Sequence, residues 1–161
     1  QAIRDGLIQT TLPGRFQVLP GKPAIVLDVA HNPQAMRVLA ANLAEMGFFG
    51  RSYAVLGMLA DKDVAGSIAA LRGKVTHWFL ATLAGARGLT AAALADVLRQ
   101  VDPDAPFTCH ASVQAALTAA QDRTRGRAGE NDRIAIFGSF HTVAAALEFL
   151  ASQKPSSGQN G

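Results

Sequence analysis

Short apolar runs alternate along the whole chain with stretches in which apolar residues recur every three or four positions, and this alternation restricts the fold more than any other feature. The runs lie near 15–19, 24–29, 52–58, 76–81, 106–109 and 133–138 and read as strands. Between and after them Met36, Leu39, Leu43 and Met46, then Val64, Ile68 and Leu71, then Leu94, Val97, Leu98 and Val101, then Val113 and Leu117, then Val143, Leu147 and Leu150 each keep one helical stripe against a sheet. Strand and helix in strict alternation describe a mostly parallel sheet with helices on both faces. Asn32 before Pro33, Thr90 before an Ala-rich stretch and Ser139 after a glycine supply helix starts at the expected places.

Composition bounds the rest. At 161 residues, 49% apolar and 17% charged, the chain is one domain able to bury a core. No apolar stretch reaches the roughly 18 residues that cross a bilayer, and the start lacks the pattern of a secretory signal, so no membrane partner and a cytoplasmic location are expected. Cys109, the single cysteine, has no disulfide partner and falls in a strand, which predicts a buried thiol. The net charge is +3. Its densest cluster, Arg123, Arg125 and Arg127, sits in a connector without interleaved aromatics and reads as a solvated loop, so no nucleic-acid partner is expected. Residues 1–11 read as an incoming linker, 12–153 as the domain, and 154–161, rich in Ser, Gly, Gln and Asn, as a disordered tail.

Three strand ends present polar side chains to one edge of the sheet, where open α/β proteins bind ligands. After the second strand come Asp28, His31 and Asn32; after the third, Asp61, Lys62 and Asp63; after the last, Ser139 and His141. Several have plain structural readings: Asn32, Asp61 or Asp63 and Ser139 as caps, His141 as a first-turn residue, Lys62 as one half of a surface pair. Asp28 and His31 resist such a reading, because an acid closing a buried apolar strand costs stability unless it is paired or faces a ligand. A carboxylate suits two ribose hydroxyls, and an imidazole can donate to a phosphate or carboxylate. Neither a Gly-x-Gly-x-x-Gly nor a Gly-x-x-x-x-Gly-Lys-Ser/Thr loop is present, so the chain lacks its own phosphate cradle and is expected to share its ligand with another domain. Gly85-Ala86-Arg87-Gly88 is a loop after a strand that specifies no ligand. His31, His77, His110 and His141 show no metal-ligand spacing, and Ser139 does not sit in a Gly-x-Ser-x-Gly elbow.

Together, Leu12-Pro13-Gly14-Arg15-Phe16-Gln17, Asp28-Val29-Ala30-His31-Asn32-Pro33, Gly57-Met58-Leu59-Ala60-Asp61-Lys62-Asp63, Ala81-Thr82 with Arg87-Gly88, and Phe137-Gly138-Ser139-Phe140-His141-Thr142-Val143 resemble, in the same order, the C-terminal domain of bacterial bifunctional dihydrofolate synthase/folylpolyglutamate synthase, within the wider Mur ligase superfamily. The resemblance implies a Rossmann-like sheet of about six strands whose first strand, reached without a helical crossover, is an antiparallel edge. It implies an ATP- and Mg²⁺-dependent ligase that joins L-glutamate to dihydropteroate or a folate through an acyl phosphate. The phosphate cradle and metal ligands would lie in a covalently linked N-terminal ATPase domain absent from this chain, so the isolated domain would be inactive; the family pattern further implies a monomer. By position, Arg15 and Asp28 would contact ATP, with Asp28 at the ribose; His31 would be the catalytic residue; Lys62 and Ser139 would hold glutamate, with Asn32 and His141 in the same cleft. The competing reading is a non-catalytic α/β module that binds a nucleotide or acidic metabolite, which need not carry five motifs in register.

Overall fold

The computed structural model describes residues 15–126 and 131–153. The linker expected over 1–11, the tail over 154–161 and Arg127 lie outside the described residues. Six strands and five helices follow one another as β1 (Gln17–Leu19), β2 (Ala24–Asp28), α1 (Pro33–Glu45), β3 (Arg51–Leu56), α2 (Val64–Ala69), β4 (His77–Ala81), α3 (Ala91–Val101), β5 (Phe107–His110), α4 (Val113–Arg123), β6 (Asp132–Phe137) and α5 (Phe140–Gln153). All six expected strands and all five helices are present.

The strands form one sheet in the order β1-β2-β6-β3-β4-β5. β1 runs antiparallel to β2 as an edge strand, and every other pair is parallel. This is the Rossmann-like arrangement that the motifs implied. Strand periodicity divides the core in two: Ala54, Leu56, Trp78, Leu80 and Phe137 pack under α1, α2 and α3, while Tyr53, Val55, Phe79, Ile134 and Ile136 pack under α4 and α5. With both faces covered, the central strands need apolar residues at consecutive positions, which is why they read as unbroken runs.

Topology decides where a ligand can enter. β6, the last strand, lies between β2 and β3, and α1 and α5, which leave the neighbouring strands β2 and β6, go to opposite faces. A crevice opens where adjacent connections diverge in this way. Local glycines shape it. Gly138, with φ +120°, passes so close to β3 that a Cβ there would collide with the Gly57 carbonyl oxygen.

Two expectations are corrected by strand order and helix length. Cys109 is exposed rather than buried, because β5 is the outer strand on its side of the sheet and only partly covered. Arg123 is not in a free connector. It closes the last turn of α4 and lays its guanidinium over the rings of Tyr53 and Phe79, 6.0 Å from each centroid.

Candidate functional site: two clefts that share a histidine

Asp28 ends β2 with only 9% of its surface exposed. Its Oδ1 accepts the Ala30 amide N–H at 2.9 Å, and the Phe16 amide also donates to the carboxylate. Burial pushes the carboxyl above its ordinary value, opposed by these two amides and by the charge of Arg15. Phe16, whose amide reaches this carboxylate, sits at φ +39°, a left-handed conformation that costs a non-glycine residue about 1–3 kcal/mol. Stored strain around an acid that destabilises its own strand is the kind of local conflict found at ligand sites.

The next residues turn the chain into α1. His31 Nδ1–H donates to the Val29 carbonyl at 2.9 Å, which fixes the ring and leaves Nε2 for a ligand. Asn32 is the N-cap, its Oδ1 accepting the Ala35 N–H at 2.8 Å ahead of Pro33. The structure thus gives Asn32 a capping role at the cleft rim.

At the second loop, Asp63 caps α2 by accepting the Gly66 N–H at 2.9 Å, and Asp61 pairs with Arg87 at 2.9 Å. Lys62 between them is half-buried. At the third, Thr142 Oγ1–H donates to the Gly57 carbonyl at 2.8 Å, so the hydroxyl hydrogen between Ser139 and Thr142, 2.9 Å apart, belongs to Ser139. Ser139 Oγ also accepts the Thr142 N–H at 3.1 Å and is only 3% exposed. Its side chain is a cap that ties β6 to β3. What this loop offers a ligand is the start of α5, whose first amides have no intrahelical acceptor, with His141 exposed in its first turn.

These loops enclose two adjacent clefts. One, of about 380 Å³, is lined by Arg15, Phe16, Asp28, His31 and Asn32 together with Ala35, Val38 and Asn42 of α1. The other, of about 190 Å³, is lined by His31, Leu59, Lys62, Gly138, Ser139, Phe140 and His141. His31 belongs to both. The candidates named from sequence therefore converge on one edge, divided into a cleft with an acid, a cation and an apolar wall and a second one that holds Lys62. The apolar wall of Phe16, Ala35 and Val38 was not named in advance. Its signal was in α1, where Val38 falls outside the core stripe and stays 56% exposed. Phe140, 66% exposed at the mouth of the second cleft, is a similar case. Among the described residues no three His, Cys, Asp or Glu side chains group to hold a metal.

The family model described as Mur ligase, glutamate ligase domain, matches residues 14–140, which takes in β1 to β6 and every residue lining the two clefts except His141. This chain belongs to that family. The Mur ligase domain is 38% identical over 153 residues to the dihydrofolate synthase/folylpolyglutamate synthase of Escherichia coli K12, an alignment that covers 95% of this chain and 34% of the relative. It superposes on E. coli FolC in complex with DHPP and ADP with a TM-score of 0.81 and 39% identity, covering 96% of this chain and 35% of that one. It also matches a bifunctional folylpolyglutamate synthase/dihydrofolate synthase with Mn, AMPPNP and L-glutamate bound, with a TM-score of 0.76 and 41% identity, over 93% of this chain and 34% of that one. The Mur ligase domain described here thus spans about a third of the length of these relatives. No helix among its described residues is long and apolar enough to cross a membrane.

Proposed function

We propose that this domain forms one wall of the active site of an ATP-dependent ligase that adds L-glutamate to dihydropteroate and to folates. The observation that carries the reading is the pair of clefts meeting at His31, since such a reaction must bring a nucleotide and an amino acid to one acyl centre. Asp28 takes the ribose, Arg15 the nucleotide's negative charge, and the apolar wall of Phe16 and Val38 the base. In the second cleft Lys62 and the first amides of α5 hold a glutamate carboxylate, a pairing of compact cation and helix start suited to an anion. His31, its ring fixed by Nδ1 on the Val29 carbonyl, leaves its other nitrogen for the phosphoryl group at the junction.

The chemistry supported is phosphoryl transfer from ATP to the pteroate or folate carboxylate, then attack by the glutamate amine on the acyl carbon with release of phosphate. Among the described residues no three His, Cys, Asp or Glu side chains group to hold a metal; the metal and the phosphate cradle belong to an N-terminal domain joined through residues 1–11, with 12–153 as the C-terminal domain and 154–161 as a trailing tail. The same reading makes the enzyme a cytoplasmic monomer. A domain that supplies one wall of a closing cleft favours catalysis in the closed form, where its charges are desolvated around the reactants.

The test is kinetic and uses the full-length enzyme. Asp28→Ala should raise the KM for ATP, and Lys62→Ala the KM for L-glutamate, by about tenfold or more, the effect of a lost charged contact of about 1.5–3 kcal/mol. Each should leave the other substrate's KM nearly unchanged. Two variants that disturb both substrates equally, or neither, would overturn the division of the site.

A further inference from the structure

The Gly85-Ala86-Arg87-Gly88 turn lines neither cleft, yet it is bound to the loop that carries Lys62 by backbone and side chain. The Ala60 N–H donates to the Arg87 carbonyl at 2.7 Å and the Leu89 N–H to the Met58 carbonyl at 3.0 Å. Leu59 and Gly88 form an isolated antiparallel bridge, which a Cβ on Gly88 would prevent by striking the Leu83 carbonyl. The Arg87 guanidinium then donates to Asp61 Oδ2 at 2.9 Å.

Lys62 lies between two acids in sequence, and carboxylates beside an ammonium would ordinarily neutralise it. Both are engaged elsewhere: Asp63 on the start of α2 and Asp61 on Arg87. Lys62 makes no ion pair with any described residue, although it lines the second cleft. The Asp61 carboxyl is held below its ordinary value first by the Arg87 hydrogen bond and, more weakly, by the charge of Lys62. Without Arg87, Lys62 is the cation that remains to attract it. We infer that Arg87 is a positioning residue for the amino-acid cleft: by holding Asp61 it keeps the Lys62 ammonium unpaired for the carboxylate of the incoming amino acid. The inference rests on the reading of Lys62 as the glutamate contact given above.

Glutamate titrations of the full-length enzyme at saturating ATP and folate test it, because a substitution at Arg87 leaves its backbone carbonyl, and so the link to Ala60, in place. Arg87→Ala should raise the KM for glutamate about two- to fivefold, the scale of one exposed ion pair, with kcat and the ATP KM kept and the defect shrinking in added salt. Arg87→Lys should restore much of the loss. The double variant Arg87→Ala with Asp61→Asn should return the glutamate KM to the parent value, since the competing carboxylate is gone, a rescue that a merely structural role for Arg87 would not give. If Lys62→Ala raises the glutamate KM while Arg87→Ala does not, or the double variant keeps the defect, the positioning role is overturned and the cleft assignment stands. If Lys62→Ala leaves the glutamate KM unchanged, the cleft assignment falls and the positioning role falls with it.

Discussion

Replacing Asp28 by asparagine should move stability and activity in opposite directions. The carboxyl is buried and its folded value is raised above the ordinary 3.8, so the folded protein binds a proton more readily here than the unfolded chain does. The stabilising contribution belongs to the protonated form, is present at acid pH, and is lost as pH rises through the raised folded value; at neutral pH the ionised group is a standing penalty. Asparagine removes the charge and keeps an oxygen for the Ala30 N–H. The melting-temperature difference between variant and parent should therefore grow from near zero at about pH 3.8 to a plateau above the folded value, each kcal/mol appearing as about 2–4 °C for a protein of this size.

Function should suffer. An ionised carboxylate offers about four acceptor positions, of which the Ala30 and Phe16 amides occupy two, leaving two for a pair of ribose hydroxyls. The variant keeps one acceptor oxygen and loses at least one charge-assisted bond, about 1.5–3 kcal/mol, or roughly 10- to 150-fold in kcat/KM for ATP. Thermal melts of the domain across pH and steady-state kinetics of the full-length enzyme check the two halves. A variant that melts lower than the parent at neutral pH would refute the claim that burial outweighs the two amides. Unchanged ATP kinetics would refute the ribose assignment.

Gly138→Ala should destabilise the domain by about 2–5 kcal/mol in urea unfolding, combining left-handed strain with the collision at the Gly57 carbonyl, whereas Gly73→Ala, at φ +78° with open space around it, should cost only about 1–2 kcal/mol. His77 and His110, which share the Thr108 hydroxyl at 3.2 and 2.7 Å, are both held below the ordinary 6.5 chiefly by burial, His77 also by the nearby Arg123. The unfolded chain then binds more protons than the folded one between those lowered values and 6.5, so the urea midpoint should fall as pH drops from about 7.5 to 5.5, with a shallower fall in His77→Gln.

The elements were legible because strands buried on both faces need unbroken apolar runs, and helices covering them need a stripe; nothing in Val55 or Leu94 competes with that demand. Strand order was not legible, and it decided the fate of Cys109, since the same Phe107–His110 strand would bury its thiol at the centre of the sheet but leaves it exposed at the edge. The site residues were visible as polar side chains at strand ends. Their division of labour was not, because it depends on neighbours distant in sequence. The Ser139 hydroxyl is occupied through Thr142 by Gly57, 85 residues before Thr142, and Asp61 is drawn to Arg87 by the pairing of two loops.

The placement of β6 between β2 and β3 also governs when the second cleft can exist. Arg133 donates to Ser52, 81 residues before it, and the loop that leaves this last strand brings Gly138, Ser139, Phe140 and His141 to the second cleft. During synthesis the ribosome must release nearly the whole chain before His31, Lys62 and the start of α5 can meet. A nascent chain stopped short of Asp132 lacks the Gly138, Ser139, Phe140 and His141 side of the second cleft, so amino-acid binding there would report that translation through the domain has finished.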